Sequence, residues 1–159
     1  MNAAFDLLKN HKNVDSAKIG AIGFCFGGTT VLELARSGAP VAGVVSFHGG
    51  LSSPTPDDAK NVKAKVLVLH GADDPFVKPD EVLAFEDEMR KGGVDWQLVS
   101  YGGAVHSFTN KAAGTDNSKG AAYNEKADQR SWLAMKNFFA ETIGAGKSAK
   151  PVGESNPFD

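Results

Sequence analysis

Ile19-Gly20-Ala21-Ile22-Gly23-Phe24-Cys25-Phe26-Gly27-Gly28-Thr29-Thr30-Val31-Leu32 runs from a short apolar stretch into a helix-like one through a turn made of glycine, phenylalanine and one cysteine. Ile19 to Ile22 has the length and apolar character of a strand, and Thr29 to Arg36 carries helical spacing. A residue at the apex of so sharp a strand-to-helix turn takes a strained backbone conformation, in which side chains two positions away on either side collide. Gly23 and Gly27 relieve that crowding, so the pattern reads as a nucleophile elbow with Cys25 in place of the more usual serine. The helix that follows offers free backbone N–H groups and the positive end of its dipole, which favour a thiolate and an oxyanion. The Phe26 N–H is therefore an expected oxyanion donor. A buried structural cysteine beside a glycine-rich helix start, or a phosphate-binding turn, would satisfy the same local sterics, so the rest of the chain must decide.

Outward from the elbow, strand-like and helix-like segments alternate. Val41 to Phe47, Val66 to Leu69 and Trp96 to Tyr101 join Ile19 to Ile22 as short apolar or β-branched runs bounded by Gly, Pro or Asp. Ala3, Ala4, Phe5 and Leu8 share one face of an opening helix, and Trp132, Met135, Phe139 and Ile143 mark a last one. Between them Pro79 to Lys91 has Pro79 in its first turn, Asp80 and Glu81 behind it, and Gly92 as terminator. Parallel strands need crossovers of this length, so the alternation predicts an α/β domain over residues 1–143, with a mostly parallel sheet flanked by helices on both faces. From about Gly144 to Asp159 the chain is small, polar and proline-punctuated, the composition of a disordered tail.

Composition narrows the function. At 159 residues and 42% hydrophobic content the chain holds one domain with a real core. Seventeen basic against nineteen acidic side chains leave a net charge of −2, which provides no electrostatic footprint for nucleic acid. No apolar run approaches the roughly 20 residues that cross a bilayer, and Met1 opens onto mixed sequence, so a cytoplasmic location is the default expectation. A lone cysteine forms no intramolecular disulfide. No two of the four histidines stand at the i, i+4 helical spacing or in a tight cluster along the chain, so no metal is expected; with no footprint for nucleic acid, the expected partner is a small molecule.

A cysteine nucleophile needs a base, because an ordinary thiol, with a pKa near ~8.5, is mostly protonated at neutral pH. After the strand Val66 to Leu69 comes His70-Gly71-Ala72-Asp73-Asp74-Pro75-Phe76-Val77, a turn that leaves a carboxylate at the sheet edge. After Trp96 to Tyr101 comes Gly102-Gly103-Ala104-Val105-His106-Ser107-Phe108, whose glycines let the loop fold back across the site with His106 as the natural base. Nucleophile, acid and histidine thus follow one another in the order of an elbow hydrolase. Phe24, Phe26, Phe76 and Phe108 flank these motifs and are expected to line an apolar pocket. His48 and His70, at or just past strand ends, are read as core or supporting groups. His11 follows a helix end, where a cation suits the dipole, and is assigned no chemistry.

Gly23-Phe24-Cys25-Phe26-Gly27-Gly28, the Gly-Ala-Asp-Asp-Pro-Phe-Val turn at 71–77 and His106-Ser107-Phe108, in that order, resemble the motifs of the dienelactone hydrolase family. The resemblance runs from the first helix to about Glu141 and includes Tyr123 to Trp132, similar to the lead into that family's last helix. It implies an α/β-hydrolase fold, of which this chain holds the C-terminal half with about four strands. It also implies a triad of Cys25, Asp74 and His106, leaving Asp73 as a turn residue, with Ser107 among the pocket residues. The implied activity is hydrolysis of small esters and lactones through an acyl-thioester, without a cofactor. Members specific for dienelactone carry an arginine four residues after the histidine, where this chain has Asn110, so dienelactone itself is not the expected substrate. Full-length members also have four strands ahead of the first helix, carrying the other oxyanion donor. A companion N-terminal fragment or a second copy of the chain is therefore expected to complete the sheet. The alternatives are thiolate attack on other electrophiles such as phosphotriesters, and a non-catalytic module of the same fold.

Overall fold

Strands rich in valine and leucine, with no polar alternation, require cover on both faces. In the computed structural model, which describes residues 1–144, Gly43–Phe47 (β2) and Lys65–Gly71 (β3) obtain it as inner strands of a four-stranded sheet. Gly20–Phe24 (β1) and Trp96–Tyr101 (β4) form its edges, and the spatial order β1-β2-β3-β4 is the chain order. Every neighbouring pair is parallel, with Gly20 beside Gly43, Gly43 beside Lys65, and Val66 beside Trp96. All four strands therefore end on the same edge of the sheet.

Asn2–Lys9 (α1) precedes β1, Phe26–Arg36 (α2) joins β1 to β2, and Pro79–Gly92 (α3) joins β3 to β4, whereas β2 and β3 are joined by a loop with one 3-10 segment, Pro56–Asn61. Glu125–Thr142 (α4) follows β4. α3 starts at Pro79 as expected but runs on through Gly92, and the residue that ends it is Gly93, left-handed at φ 65°, rather than Gly92. α2 begins three residues ahead of its apolar spacing, because Cys25 itself occupies the N-cap position. α4 begins at Glu125, well before Trp132, since the Asn124 side chain caps it by accepting from Ala127 N at 3.1 Å. Its first turns are polar, so hydrophobic periodicity alone could not reveal them. Of the stretch expected as a tail, only Gly144 is described; residues 145–159 lie outside the described residues. Among the described residues no helix is long and apolar enough to cross a membrane.

The sheet separates two cores. On one face Val31, Leu32, Val44, Val66, Phe85 and Met89 pack between strands and α2 and α3, and on the other Val45, Phe47, Leu67, Leu69, Met135 and Phe138 pack under α4. Each such side chain removed from water contributes about 1.5–3 kcal/mol. Cover is incomplete at the rim of β1, where Ile22 and Phe24 stay 44% and 41% exposed while α4 lies over β2 and β3.

One ion pair is buried in this frame. The Arg36 guanidinium, on α2, donates through Nε and Nη2 to the two carboxylate oxygens of Glu88 on α3, both at 2.7 Å, with each side chain 3% exposed. Nη2 also donates to the Leu51 carbonyl at 3.0 Å, tying both helices to the loop after β2. Removing Arg36 leaves the Glu88 carboxylate buried without this partner, whereas Arg36 also pairs with Glu33 at 2.7 Å. Arg36→Met is therefore expected to lower stability by about 3–5 kcal/mol in urea unfolding, and Arg36→Met with Glu88→Leu to recover most of it. A loss for the single variant of about 1 kcal/mol or less, the scale of an exposed pair, would show that water reaches the pair.

Candidate active site

Cys25 is held at φ 52° and ψ −121°, a conformation that L-residues rarely adopt. Its N–H donates to Phe47 O at 3.1 Å, and its carbonyl accepts from Gly28 N at 2.9 Å and Thr29 N at 3.2 Å, fastening the turn to β2 and to the first turn of α2. A Cβ on Gly23 would overlap the Gly27 carbonyl, as the elbow reading expects. The second demand for glycine falls elsewhere than expected. A Cβ on Gly27 would meet nothing within 4 Å, whereas one on Gly28 would lie 2.6 Å from Ser46 Oγ and 2.9 Å from Gly49 Cα. It is the approach of α2 to the end of β2, as well as the turn itself, that excludes a side chain here. Phe26, as the first residue of α2, has an N–H with no intrahelical acceptor, at the positive end of the helix dipole.

The two aspartates after β3 divide. Asp74 turns inward: its side chain is fully buried, Oδ1 accepts from Phe76 N at 2.8 Å, and Oδ2 lies 2.9 Å from His106 Nδ1. Asp73 turns outward and accepts from Gly103 N at 3.0 Å, bracing the loop that carries His106. In the neutral imidazole, donation to Asp74 puts the proton on Nδ1 and leaves the lone pair on Nε2. His106 is 20% exposed and is held by its own backbone, with N donating to Gly120 O at 3.1 Å and O accepting from Ala122 N at 3.0 Å. Cys25 Sγ lies 3.2 Å from Ser107 Oγ and 3.4 Å from His48 Nδ1. Taking one ligand-type atom each from Cys25, His48 and His106, the three lie within 4.8 Å of one another.

His48 is the group that sequence reasoning underrated. It is 2% exposed with φ 40°, its Nδ1 accepts from the Cys25 backbone N–H at 3.2 Å, and its Nε2 is 2.8 Å from Thr109 Oγ1. Burial, and after it the neighbouring His106, lower its pKa from 6.5 to about 4, so the ring is neutral at pH 7. Nδ1 is then the bare nitrogen, and Nε2–H donates to Thr109. The sequence signal was its place just past a strand end, ahead of Gly49 and Gly50, on the sheet edge where α/β folds bind ligands. His70 is buried as well, but it lines with Asp74, Val77 and Pro79 a separate cavity of about 310 Å³.

Three of the four candidate pocket phenylalanines are accessible. Phe24 stacks on Phe47 with centroids 4.6 Å apart, Phe76 stands edge-on to His106 at 5.4 Å, and Phe26 is 84% exposed. Phe108 is the exception: it is fully buried, packing beneath His48 at 5.0 Å and against Tyr101 at 5.6 Å, and forms core rather than pocket lining. Asn110, in the place of the arginine, turns its side chain to accept from Ala112 N at 3.0 Å and cap a short 3-10 turn.

The dienelactone hydrolase family model matches residues 1–143. Among solved structures, a dienelactone hydrolase-like promiscuous phosphotriesterase from metagenomic libraries shares 50% identity at a TM-score of 0.83, over 90% of this chain and 60% of that one. An uncharacterized protein of Caenorhabditis elegans is 36% identical over 148 residues, 90% of this chain and 92% of its own length. An Aquifex aeolicus protein provisionally named carboxymethylenebutenolidase is 28% identical over 86% of this chain, which spans 57% of that relative. The chain thus spans well under two thirds of the metagenomic and Aquifex proteins and nearly all of the nematode one. Matched span, parallel sheet and ordered motifs converge, and the chain belongs to the dienelactone hydrolase family of α/β-hydrolases.

Proposed function

We propose that this chain is the catalytic part of a hydrolase of small carboxylic esters and lactones, with Cys25 as nucleophile, His106 as base and Asp74 orienting the base. The observation that carries this reading is the 2.9 Å contact between buried Asp74 and His106, on the same sheet edge as a cysteine at an elbow. Sγ rests against Ser107 and His48, and the reaction requires the thiol to turn from them to the Nε2 of His106. His106 takes the thiol proton as Sγ bonds to the carbonyl carbon, and the carbonyl oxygen, now an oxyanion, is met by the Phe26 N–H. The tetrahedral intermediate collapses to an acyl-thioester, and the alkoxide leaves with the proton from His106. Water, deprotonated by His106, then attacks the thioester; the acid departs and the thiol is restored. The exposed rings of Phe24, Phe26 and Phe76 favour apolar or aromatic substituents on the substrate, and Ser107 lies beside the nucleophile.

A second reading is favoured by one finding: the 50% identical relative is described as a promiscuous phosphotriesterase. Attack of the same thiolate at phosphorus, with departure of an aryloxide, uses the same base and the same amide. The open rim of β1 supports a further element of the assembly. A groove of about 190 Å³ lined by Met1, Phe5, Leu8, Ile19 and Ile22 runs beside that unpaired strand edge, of a kind that native proteins cover. A companion N-terminal segment or a second copy of the chain fills that role.

Cys25→Ala is expected to abolish aryl-ester turnover and Cys25→Ser to leave a weak residue of it, while His106→Ala loses roughly 10²-fold or more in kcat/KM. Parental rates in a clean Cys25→Ala preparation would remove the nucleophile assignment. Asp74→Asn should cost far more activity than Asp73→Asn, because only Asp74 touches the imidazole; the reverse order would transfer the acid to Asp73. A panel of aryl and alkyl esters, lactones and an activated aryl phosphotriester separates the substrate readings, and failure of all of them alongside an unreactive thiol would favour a non-catalytic module. Intact mass with size-exclusion chromatography is expected to show the 16.7 kDa chain in association with another polypeptide or with itself. A fully active, monodisperse monomer would overturn the need for such a partner.

A further inference from the structure

The same cluster has the composition of a metal site. Cys25 supplies sulfur, and each histidine has one nitrogen already engaged by an oxygen: His106 Nδ1 by Asp74 Oδ2 at 2.9 Å, and His48 Nε2 by Thr109 Oγ1 at 2.8 Å. That leaves His106 Nε2 and His48 Nδ1 for a metal; His48 Nδ1 also accepts from the Cys25 backbone N–H at 3.2 Å, a bond the ion would replace while that N–H keeps the Phe47 carbonyl at 3.1 Å. Carboxylate and hydroxyl partners of this kind fix a ligating imidazole in its tautomer and orientation. A tetrahedral zinc ion with Zn–S near 2.3 Å and Zn–N near 2.0–2.1 Å sets its ligand atoms roughly 3.4–3.6 Å apart. The Sγ to His48 Nδ1 separation is 3.4 Å, so one edge of that tetrahedron exists already. All three ligand atoms lie within 4.8 Å of one another, so the longest separation has to close by about 1 Å to reach tetrahedral spacing, and the part-exposed His106 is the less enclosed of the two histidines. The protein would supply three ligands, with the fourth position left to water. Hard cations such as Mg²⁺ and Ca²⁺ prefer oxygen donors and do not match this set.

We propose that Cys25, His48 and His106 bind a thiophilic divalent cation, with zinc the best match, and that the bound ion blocks catalysis by occupying nucleophile and base together. The binding step exchanges one thiol proton, released to solvent, for one metal–sulfur bond. The inhibition rests on the nucleophile assignment made above; the binding does not.

The test uses the reduced, chelator-treated chain, titrated with Zn²⁺ in competition with a chromophoric chelator and, separately, with Co²⁺. One ion per chain is expected, and the Co²⁺ form should show the visible bands of a tetrahedral ion and a thiolate-to-cobalt charge-transfer band in the near ultraviolet. Cys25→Ser should remove the charge-transfer band and weaken zinc binding by more than about 100-fold, a larger loss than that of an outer partner. His48→Gln should weaken it comparably. Thr109→Val, which leaves all three ligands in place, should weaken it by about 10- to 100-fold and serves if the His48 variant does not fold. Zinc should also suppress ester turnover, with recovery on adding EDTA. An octahedral cobalt spectrum without a charge-transfer band, or zinc affinity unchanged in Cys25→Ser, overturns the site. The cobalt signature in a chain whose ester turnover zinc leaves unchanged upholds the site and overturns the nucleophile assignment instead.

Discussion

The rest of the site depends on the tight crossing of the turn at Cys25 over the end of β2. A positive φ at a non-glycine residue costs on the order of 1–3 kcal/mol, and it persists only where the surroundings over-determine it. Here they do so through the Cys25 N–H bond to Phe47 O, two amides of α2 on the Cys25 carbonyl, and contact between Gly28 and Gly49 that no side chain could enter. Among the described residues, the non-glycine residues with positive φ are Cys25, His48 and Ser107. These are also the three whose side chains meet at the sulfur. Backbone strain is thus gathered where the chemistry is proposed, and each strained residue points a polar atom at the same place.

Topology explains which groups can pair. With all strands parallel and in chain order, each strand delivers one chemical group to a common edge: Cys25 after β1, His48 after β2, Asp74 after β3 and His106 after β4. Adjacent strands give the adjacent pairs, Cys25 with His48 and Asp74 with His106. To bring His106 back toward Cys25, the loop after β4 has to reverse across the edge. Gly103, at φ 75°, lets it turn, and the turn is pinned by Asp73 on the Gly103 N–H and by the Asn117 and Asn124 side chains on its carbonyl at 3.0 and 3.1 Å. Asn124 also caps α4, so the helix that covers one face of the sheet and the loop that carries the histidine are anchored by the same residue.

The scaffold behind this edge is stiffened in a complementary way. Glu81, in the first turn of α3, accepts from Leu51 N at 2.7 Å and Ser52 N at 2.9 Å, and Arg36 reaches the Leu51 carbonyl from α2. The loop that follows His48 is therefore gripped by two helices, which holds the buried ring against Cys25. The front of the site is less enclosed, since Phe26 and Phe76 stand 84% and 63% exposed. Electrostatic stabilisation of an oxyanion strengthens as water is excluded, so an element covering this rim and the β1 edge would contribute to the proposed reaction as well as to stability.

Local features were legible in the sequence. The alternation of apolar runs with helical spacing determined the parallel α/β architecture, and the glycines around Cys25 determined an elbow, because strand period, helix period and turn sterics act over a few neighbouring residues. The motif order was likewise enough to nominate Cys25 and His106 as site residues. Tertiary structure alone decided the features that depend on direction. It turned Asp74 inward and Asp73 outward, placed the second steric demand at Gly28 instead of Gly27, sank Phe108 into the core, and set His48 against the sulfur. None of these follows from spacing, since each is settled by which segment distant in sequence arrives alongside, and only the packed sheet edge fixes that.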